Sequence, residues 1–259
     1  MILEKNIPNL GELKNSYDED GYNHISELFS AVDMDILNKE FNRYIKECVP
    51  KMKEEEVYYV DKSNKDTLMQ MQKLEEYDNF FYDLFYNSKI KDLAANALGE
   101  DVIPRAMEYF NKPPGKSKPT PPHQDGYYFN LDNDKAVTGW LALEDVDDEN
   151  GCIHYVKGSH KKEEYRPHGK SEILGFSQGV TDFGTEEDKK NTVKFEGKAG
   201  MFLMHDAKTI HFASPNKSSV RSRRAFGFVF HGVSAKHDIE KEKTDQKKLH
   251  AELKDKEII

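Results

Sequence analysis

Cysteine is scarce in this chain of 259 residues, which contains only Cys48 and Cys152. The two lie in unrelated segments without C-x-x-C spacing, so a disulfide framework is not expected. Long apolar runs are missing too, since no segment approaches the ~18 residues needed to span a bilayer. Residues 1–6 lack the basic and then apolar pattern of a signal peptide. These absences predict a soluble protein of a reducing, cytoplasmic compartment.

The chain also lacks an excess of positive charge, since it has 38 Lys and Arg residues against 47 Asp and Glu. The formal net charge is −9 at pH 7, whereas a surface that binds nucleic acid or acidic membrane needs clustered lysine and arginine. The basic cluster at Arg221, Arg223 and Arg224 is too short to supply such a surface. We therefore expect no nucleic-acid partner and no membrane partner, and the sequence leaves the oligomeric state open.

The sequence does contain a helical pattern followed by a strand pattern. A helix is predicted over residues 33–49 with Asp33 as its N-cap, and a later helix ends at Gly99 as its C-cap. From Val102 onward the apolar period shifts to two, with Gly, Pro, Asn and Asp between short runs, which is typical of strands. The apolar side chains predicted on one face of the first helix are Ile36, Phe41, Tyr44, Ile45 and Cys48.

We interpret residues 1–259 as a single domain. It comprises a mainly helical part (1–100), a β core (101–235) and a charged tail (236–259). Residues 161–192 interrupt the strand rhythm with Lys, Glu, Gly and Ser. They are predicted to form an irregular, lid-like insertion, because long insertions in compact domains are usually functional or mobile. The strands expected in the core include residues 137–143, 152–156, 200–206 and 223–230.

The most informative motif is His123-Gln124-Asp125, which His211 follows further along the chain. Two imidazoles and one carboxylate can bind one face of an octahedral metal and leave the opposite face open, as in non-haem Fe(II) oxygenases. The open positions can take a bidentate 2-oxo acid and dioxygen. A buried guanidinium from the basic cluster would pair with the carboxylate of that acid. These residues indicate an iron enzyme that uses an acidic 2-oxo acid.

Around this triad the sequence resembles the phytanoyl-CoA dioxygenase (PhyH) family of Fe(II)/2-oxoglutarate oxygenases. The matching motifs run in the family's order across about residues 105–232. They are N-K-P-P-G at 111–115, H-Q-D at 123–125, the strand around Trp140, E-N-G-C at 149–152, G-S-H at 158–160, and His211 through Asn216 to Arg223-Arg224-Ala225. The resemblance implies a mainly β fold with flanking helices. This is a double-stranded β-helix (a jelly-roll or cupin-like barrel) with the metal at one mouth and N-terminal helices packed on one sheet.

The resemblance also implies roles for individual residues. His123, Asp125 and His211 match the family's iron ligands, and the implied cofactors are Fe(II), 2-oxoglutarate and O2. Arg223 matches the arginine that binds 2-oxoglutarate. The segment after His211 is one residue longer than the common pattern, however, which leaves Arg221 open as the alternative.

Two further residues match cosubstrate-binding positions. Trp140 matches a tryptophan that lines the cosubstrate pocket, and Lys73 matches a lysine that helps to hold the same ligand. Ordinary core packing for Trp140 and a surface position for Lys73 are the open alternatives. The histidines without metal-ligand spacing are expected to be structural, and they are His154, His160, His205 and His231.

The implied activity is hydroxylation of an unactivated C–H bond of a small, polar metabolite, with release of succinate and CO2. Asp125 favours hydroxylation over halogenation, because iron halogenases of this class replace the carboxylate with a small residue. The same iron chemistry on a protein side chain, and a non-catalytic or zinc-binding barrel, stay open as alternatives. The substrate is expected between an aromatic wall at residues 127–129 and the lid-like insertion, near Arg166, His168, Ser177 and Gln178.

Overall fold

The computed structural model describes residues 9–115, 117–170, 178–241 and 244. The helices within them are α1 (Leu10–Asp20), α2 (Ala31–Glu47), α3 (Leu74–Tyr77), α4 (Asn79–Tyr86), α5 (Lys89–Leu98), α6 (Gly126–Phe129) and α7 (Glu186–Asn191). The strands are β1 (Tyr22–Ile25), β2 (Val57–Tyr59), β3 (Leu68–Gln72), β4 (Val102–Lys112), β5 (Thr120–His123), β6 (Ala136–Ala142), β7 (Ile153–Val156), β8 (His168–Lys170), β9 (Gln178–Val180), β10 (Thr192–Phe195), β11 (Phe202–Asp206), β12 (His211–Ala213) and β13 (Arg223–Gly232). None of the described helices is long and apolar enough to cross a membrane.

Two antiparallel sheets form the framework. The larger has seven strands in the order β1-β11-β6-β13-β4-β3-β2, and the smaller has four in the order β10-β7-β12-β5. Two facing antiparallel sheets with long-range connections are the architecture of a jelly roll. The sheets stay open at their edges instead of closing into a continuous barrel. The predicted mainly β, double-stranded β-helix is confirmed.

The N-terminal helices cover the outer face of the seven-stranded sheet. Phe41 of α2 and Phe81 of α4 pack against Phe226 of β13, with ring centroids 5.1 and 5.6 Å away. Phe85 of α4 packs on Phe230 at 5.0 Å. These rings are buried, so apolar burial holds the helices to the sheet. The predicted packing of helices on one sheet is confirmed.

The start of α2 differs from the prediction. Ser30, rather than Asp33, is the N-cap: its hydroxyl accepts from the Asp33 backbone N–H at 3.2 Å, and the Asp33 carboxylate accepts from the Ser30 N–H at 3.0 Å. This reciprocal pair is a capping box. On the predicted apolar face, Phe41, Tyr44 and Cys48 are buried and Ile45 is half-buried, as predicted. Ile36 is the exception: it is 40% exposed, and the neighbouring Leu37 is buried instead. Gly99 caps α5 with a φ of 71°, as predicted.

Residues 1–100 also contribute strands, which the mainly helical prediction missed. The strands β1, β2 and β3 have 4, 3 and 5 residues, and all three join the seven-stranded sheet. Runs this short contain too few alternations to distinguish them from loop or helix. Their structure is fixed by pairing with distant strands, as where Tyr22 lies opposite His205.

The lid-like insertion is more regular than predicted. Its described part contains the hairpin β8–β9 and helix α7. The hairpin lies against the strand that carries His123, since a Cβ placed on Gly179 would come within 3.2 Å of the Pro122 carbonyl oxygen. Ser177 lies outside the described residues, and only the backbone of Gln178 is described. The charged tail is described only for residues 236–241 and 244.

Candidate metal and cosubstrate site

Strand pairing brings the two histidines of the triad together. His123 ends β5 and His211 begins β12, and these residues are direct partners in the antiparallel register. Their ring centroids are 4.0 Å apart, and both side chains are buried. Facing partners in an antiparallel pair project their side chains to the same side of the sheet. The smaller sheet therefore presents both imidazoles to the interior as one pair.

Asp125 reaches the same point because the chain turns immediately after β5. Its Oδ1 lies 3.4 Å from His123 Nε2 and 3.5 Å from His211 Nε2. The turn needs glycine at position 126, since a Cβ there would lie 2.2 Å from the Tyr165 hydroxyl. The side chain of Gln124 holds the turn in place. Its Nε2 donates to the Lys208 carbonyl at 2.7 Å, and its Oε1 accepts from the Arg166 N–H at 2.9 Å.

The hydrogen bonds of the two imidazoles select the tautomer that a metal requires. Nδ1 of His123 donates to the Pro121 carbonyl at 2.8 Å, and Nδ1 of His211 donates to the Thr209 carbonyl at 3.0 Å. A carbonyl can only accept, so each Nδ1 carries the proton and each Nε2 offers its lone pair. Burial lowers the pKa of His211 well below its usual range, which keeps this imidazole neutral. Neutral imidazoles are the metal-binding form.

The carboxylate of Asp125 is ionised and oriented by neighbours. Burial opposes its ionisation, but the adjacent histidines outweigh burial and lower the pKa of Asp125 well below its usual range. Its Oδ2 accepts from the Thr138 hydroxyl at 2.6 Å and from His205 Nε2 at 3.1 Å. Because Oδ2 is held by these donors, Oδ1 is the oxygen that faces the two imidazoles. The ligand atoms of His123, Asp125 and His211 all lie within 4.8 Å of one another.

His205 is a site residue that the sequence interpretation left as structural. Its Nδ1 accepts a hydrogen bond from the Tyr155 hydroxyl at 2.9 Å, so its Nε2 carries the proton donated to Asp125. Tyr155, His205 and Asp125 thus form a chain that orients the carboxylate, as outer-shell partners of metal ligands do. The sequence feature that could have identified His205 is its position on β11. Side chains alternate between the two faces of a strand, so His205 and Leu203 point to the same, interior face.

A buried guanidinium lies next to the tryptophan, as the resemblance implies. Arg223 is 4% exposed, and its Cζ lies 5.4 Å from the centre of the Trp140 ring. Its Nε is buried and has no hydrogen-bond partner among the described residues. Burial lowers the pKa of Arg223 to about 10, because a desolvated cation here lacks a close carboxylate. An unpaired buried cation of this kind is costly unless an anionic ligand completes it.

The neighbouring arginines have other partners. Arg221 forms ion pairs with Asp147 at 2.7 Å and Glu149 at 3.2 Å near the surface. Arg224 points to the other face of β13 and pairs with Glu144 at 2.7 Å. The structure therefore presents Arg223, rather than either neighbour, as the guanidinium available to a ligand inside the fold.

Lys112, which the sequence interpretation did not assign, is the lysine beside Arg223. The two residues are register partners on β4 and β13. Burial, and then the charge of Arg223, lowers the pKa of Lys112 to about 6. Lys73, the predicted cosubstrate lysine, instead pairs with Glu56 at 3.1 Å, and its side chain is 42% exposed. That position does not favour the role predicted for Lys73. The N-K-P-P-G motif itself carried the signal for Lys112.

Two residues of the lid-like insertion, Arg166 and His168, lie in different surroundings. Arg166 turns away from the triad and pairs with Asp182 and Asp188 at 2.8 and 3.0 Å. His168 stacks on Tyr127, with ring centroids 4.0 Å apart and an interplanar angle of 13°. The Nε2 of His168 is buried without a partner among the described residues. The hairpin and the predicted aromatic wall therefore meet at these two rings.

A second group of metal-ligand types lies on the other side of β7. The donor atoms of Asp148, Cys152 and His154 also fall within 4.8 Å of one another. Burial raises the pKa of the Cys152 thiol to about 12, and Asp148 is engaged by Lys194. A protonated thiol and a paired carboxylate are poor metal ligands. The iron-type donor set is therefore found only at the triad within the described residues.

The chain is similar to known proteins both in sequence and in fold. The family model described as Phytanoyl-CoA dioxygenase (PhyH) matches residues 17–225. A probable alpha-ketoglutarate-dependent hypophosphite dioxygenase of Stutzerimonas stutzeri is 26% identical over 218 residues, covering 82% of this chain and 75% of that protein. The peroxisomal phytanoyl-CoA dioxygenase of Bos taurus is 26% identical over 265 residues, covering 97% and 77%. The solved structure of the epimerase SnoN, in complex with Fe3+, alpha ketoglutarate and nogalamycin RO, shares the fold. Its TM-score is 0.70 at 23% identity, over 88% of this chain and 85% of that one.

Proposed function

Because this chain belongs to the phytanoyl-CoA dioxygenase (PhyH) family, we propose that it is an Fe(II)/2-oxoglutarate-dependent dioxygenase. The proposed reaction hydroxylates an unactivated C–H bond of a small, polar metabolite and releases succinate and CO2. His123, Asp125 and His211 are the proposed iron ligands, and Arg223 and Trp140 the proposed cosubstrate contacts. A reducing, cytoplasmic setting belongs to the same proposal and suits ferrous iron.

One observation carries this function: a complete donor triad shares the fold's interior with an unpaired guanidinium. The triad offers two imidazole nitrogens and one carboxylate oxygen within 4.8 Å. Arg223 supplies a buried cation whose Nε has no described partner. A zinc hydrolase or a purely structural metal site has no use for that cation. A dicarboxylate that reaches from the metal to a buried arginine satisfies both groups at once.

The residues of this chain have separable tasks in the proposed reaction. When bound, iron and 2-oxoglutarate supply the oxidative decarboxylation that activates dioxygen for attack on a C–H bond. The triad would hold the metal, and the pair of hydrogen bonds to Oδ2 leaves Oδ1 as the Asp125 oxygen that would bind it. Arg223 orients the distal carboxylate of the cosubstrate. Trp140 lies beside Arg223 and would exclude water from the cosubstrate, which limits side reactions.

Hydroxylation is the form of the chemistry that the site favours over halogenation. A halide needs a metal position that a carboxylate would otherwise fill, and Asp125 fills it. The carboxylate is held in place by Thr138 and His205, so it is not a displaceable surface group. The choice of hydroxylation over epimerisation or ring closure is part of the proposal, and the donor triad is compatible with each of these reactions.

The test of this function is anaerobic titration of the purified protein with Fe(II) and 2-oxoglutarate. We expect the weak visible metal-to-ligand charge-transfer band of a chelated 2-oxo acid. Asp125→Ala should abolish the band while the far-UV circular dichroism stays unchanged, because the substitution removes a ligand and not a core side chain. A wild-type protein that binds neither Fe(II) with 2-oxoglutarate nor 2-oxoglutarate with other divalent metals would refute the proposal.

We further propose that the hairpin β8–β9 borders the substrate, with His168 facing it. Support comes from the buried, unpartnered Nε2 of His168 and from its stacking on Tyr127. His168→Phe keeps a flat ring for the stack and removes both nitrogens. Once a substrate is in hand, we expect this variant, and a substitution at Gln178, to alter KM or kcat. Unchanged values for both would remove the hairpin from the substrate site.

A further inference from the structure

The inner face of the seven-stranded sheet carries three polar side chains on the neighbouring strands β3 and β4. Antiparallel register places Gln72 of β3, Glu108 of β4 and Gly227 of β13 in one row across the sheet. The next row contains Gln70 and Phe110. On β4 the alternate residues Met107 and Tyr109 belong to the helix-covered core, so Glu108 points to the interior.

The opposite end of the interior is filled by apolar side chains. Tyr22, Phe195 and Tyr155 pack together there, with ring centroids 5.0 to 5.2 Å apart. Trp140 and Leu203 belong to the same buried cluster. Gln70, Gln72 and Glu108 lie outside this cluster and are all half-buried. The inner face of the larger sheet therefore changes from apolar to partly polar between β11 and β3.

These three polar side chains have no hydrogen-bond partner among the described residues, and Glu108 forms no ion pair there. Polar groups that the protein leaves unpaired are satisfied by water or by a ligand. Gly227 is the register partner of Glu108 on β13, and the Phe110 ring packs over this glycine, since a Cβ there would lie 2.7 Å from the ring.

The electrostatic surroundings of Glu108 are negative. Burial, then the charges of Asp125 and Glu75, raises the pKa of Glu108 to about 8. The pKa of Tyr58, on β2, is raised to about 12, mainly by burial and next by the charge of Glu108. No cation of the described chain is among the groups that shift the pKa of Glu108. A bound cation would lower the cost of this arrangement.

We infer that Glu108, with Gln70 and Gln72, recognises an aliphatic ammonium group on the substrate. The carboxylate and the two amide oxygens offer three acceptors, which match the three N–H donors of an ammonium group. The proposed cosubstrate end of the interior has the opposite character, since the buried guanidinium of Arg223 lies there. Charge thus directs the dicarboxylate to one end and a cationic amine to the other. This inference rests on the proposed function and adds to it the class of substrate.

The probes for this inference are n-butylammonium, n-butanol and n-butyrate, used with the protein loaded with Mn(II) and 2-oxoglutarate. Paramagnetic relaxation of the probe protons by Mn(II) reports binding near the metal. We expect strong enhancement for n-butylammonium only. Glu108→Gln should weaken its binding about tenfold or more, because a charge-assisted hydrogen bond is lost. Gln72→Met, which leaves the charge intact, should weaken it by less.

Glu12→Gln is the matched control, since it removes the same charge from an exposed position on α1. Its relaxation profile should equal that of the wild type. Equal enhancement of the alcohol and the ammonium probe, no enhancement of the ammonium probe, or an unchanged profile in Glu108→Gln would overturn the inference. The Fe(II)–2-oxoglutarate band, recorded for every variant, separates the two levels. A normal band without ammonium preference overturns the substrate class alone, whereas no band in the wild type overturns the proposed function and this inference with it.

Discussion

Arg223 provides the sharpest test of how the cosubstrate is held. A buried guanidinium whose pKa is lowered to about 10 corresponds to roughly 3 kcal/mol of unfavourable free energy for its charged form in the ligand-free fold. Because the folded-state pKa lies below the unfolded value, this penalty is present at neutral pH and is relieved only as the pH rises through about 10. A bound carboxylate would offset the penalty with charge-assisted hydrogen bonds.

Arg223→Met removes the charge and keeps most of the volume. Losing a charge-assisted, bidentate contact of ~1.5–3 kcal/mol should raise the Kd for 2-oxoglutarate about 10- to 150-fold. The ligand-free variant should melt no lower than wild type, because replacing an unpaired buried charge by an apolar side chain is neutral or stabilising. Calorimetric titration and thermal unfolding with and without 2-oxoglutarate measure both effects.

Arg221→Met is the control, since it breaks surface ion pairs with Asp147 and Glu149 and leaves the interior intact. Its 2-oxoglutarate affinity should match that of the wild type. The assignment is wrong if Arg221→Met weakens the cosubstrate more than Arg223→Met does. It also fails if Arg223→Met lowers the melting temperature of the ligand-free protein by several degrees, because Arg223 would then have a protein partner.

Three further outcomes are expected. Tyr155→Phe and Thr138→Val each remove one hydroxyl from the hydrogen-bond network around Asp125. Each should weaken Fe(II) binding roughly tenfold, measured by titration of the charge-transfer band. An unchanged Fe(II) affinity in both variants would show that the network has no role in metal binding. Lys112, with a pKa of about 6, is mostly neutral at pH 7.5, and a bound dicarboxylate should raise that pKa. Binding of 2-oxoglutarate should then take up protons, seen as a dependence of the calorimetric enthalpy on the buffer, and Lys112→Met should abolish this dependence. Ser30→Ala should lower the free energy of unfolding by ~1 kcal/mol in urea without altering the band, since it removes only the N-cap of α2; a loss near zero would mean that the capping box is redundant.

Much of the site could be predicted because its residues are marked by motif and order. His123, Asp125 and His211 have few alternative uses in a strand-and-turn pattern, and the structure brings their ligand atoms together. Arg223 and Trp140 are also adjacent, as the family resemblance implied. His205 was not predicted because it has no metal-ligand spacing, and its contact with Asp125 appears only in the folded chain. Lys112 stands in the N-K-P-P-G motif, but only the register of β4 and β13 places it beside Arg223.

Three features can be recognised in the amino-acid sequence alone: the triad, the change from helical to strand periodicity near residue 100, and the family that these imply. They are properties of local pattern and residue type. Other features depend on how the chain folds: β1, β2 and β3 are strands, Arg221 is paired at the surface while Arg223 is not, and Glu108 faces the interior. Each of these depends on register between segments far apart in sequence. A shift of one residue in register would turn every such side chain to the opposite face of its sheet.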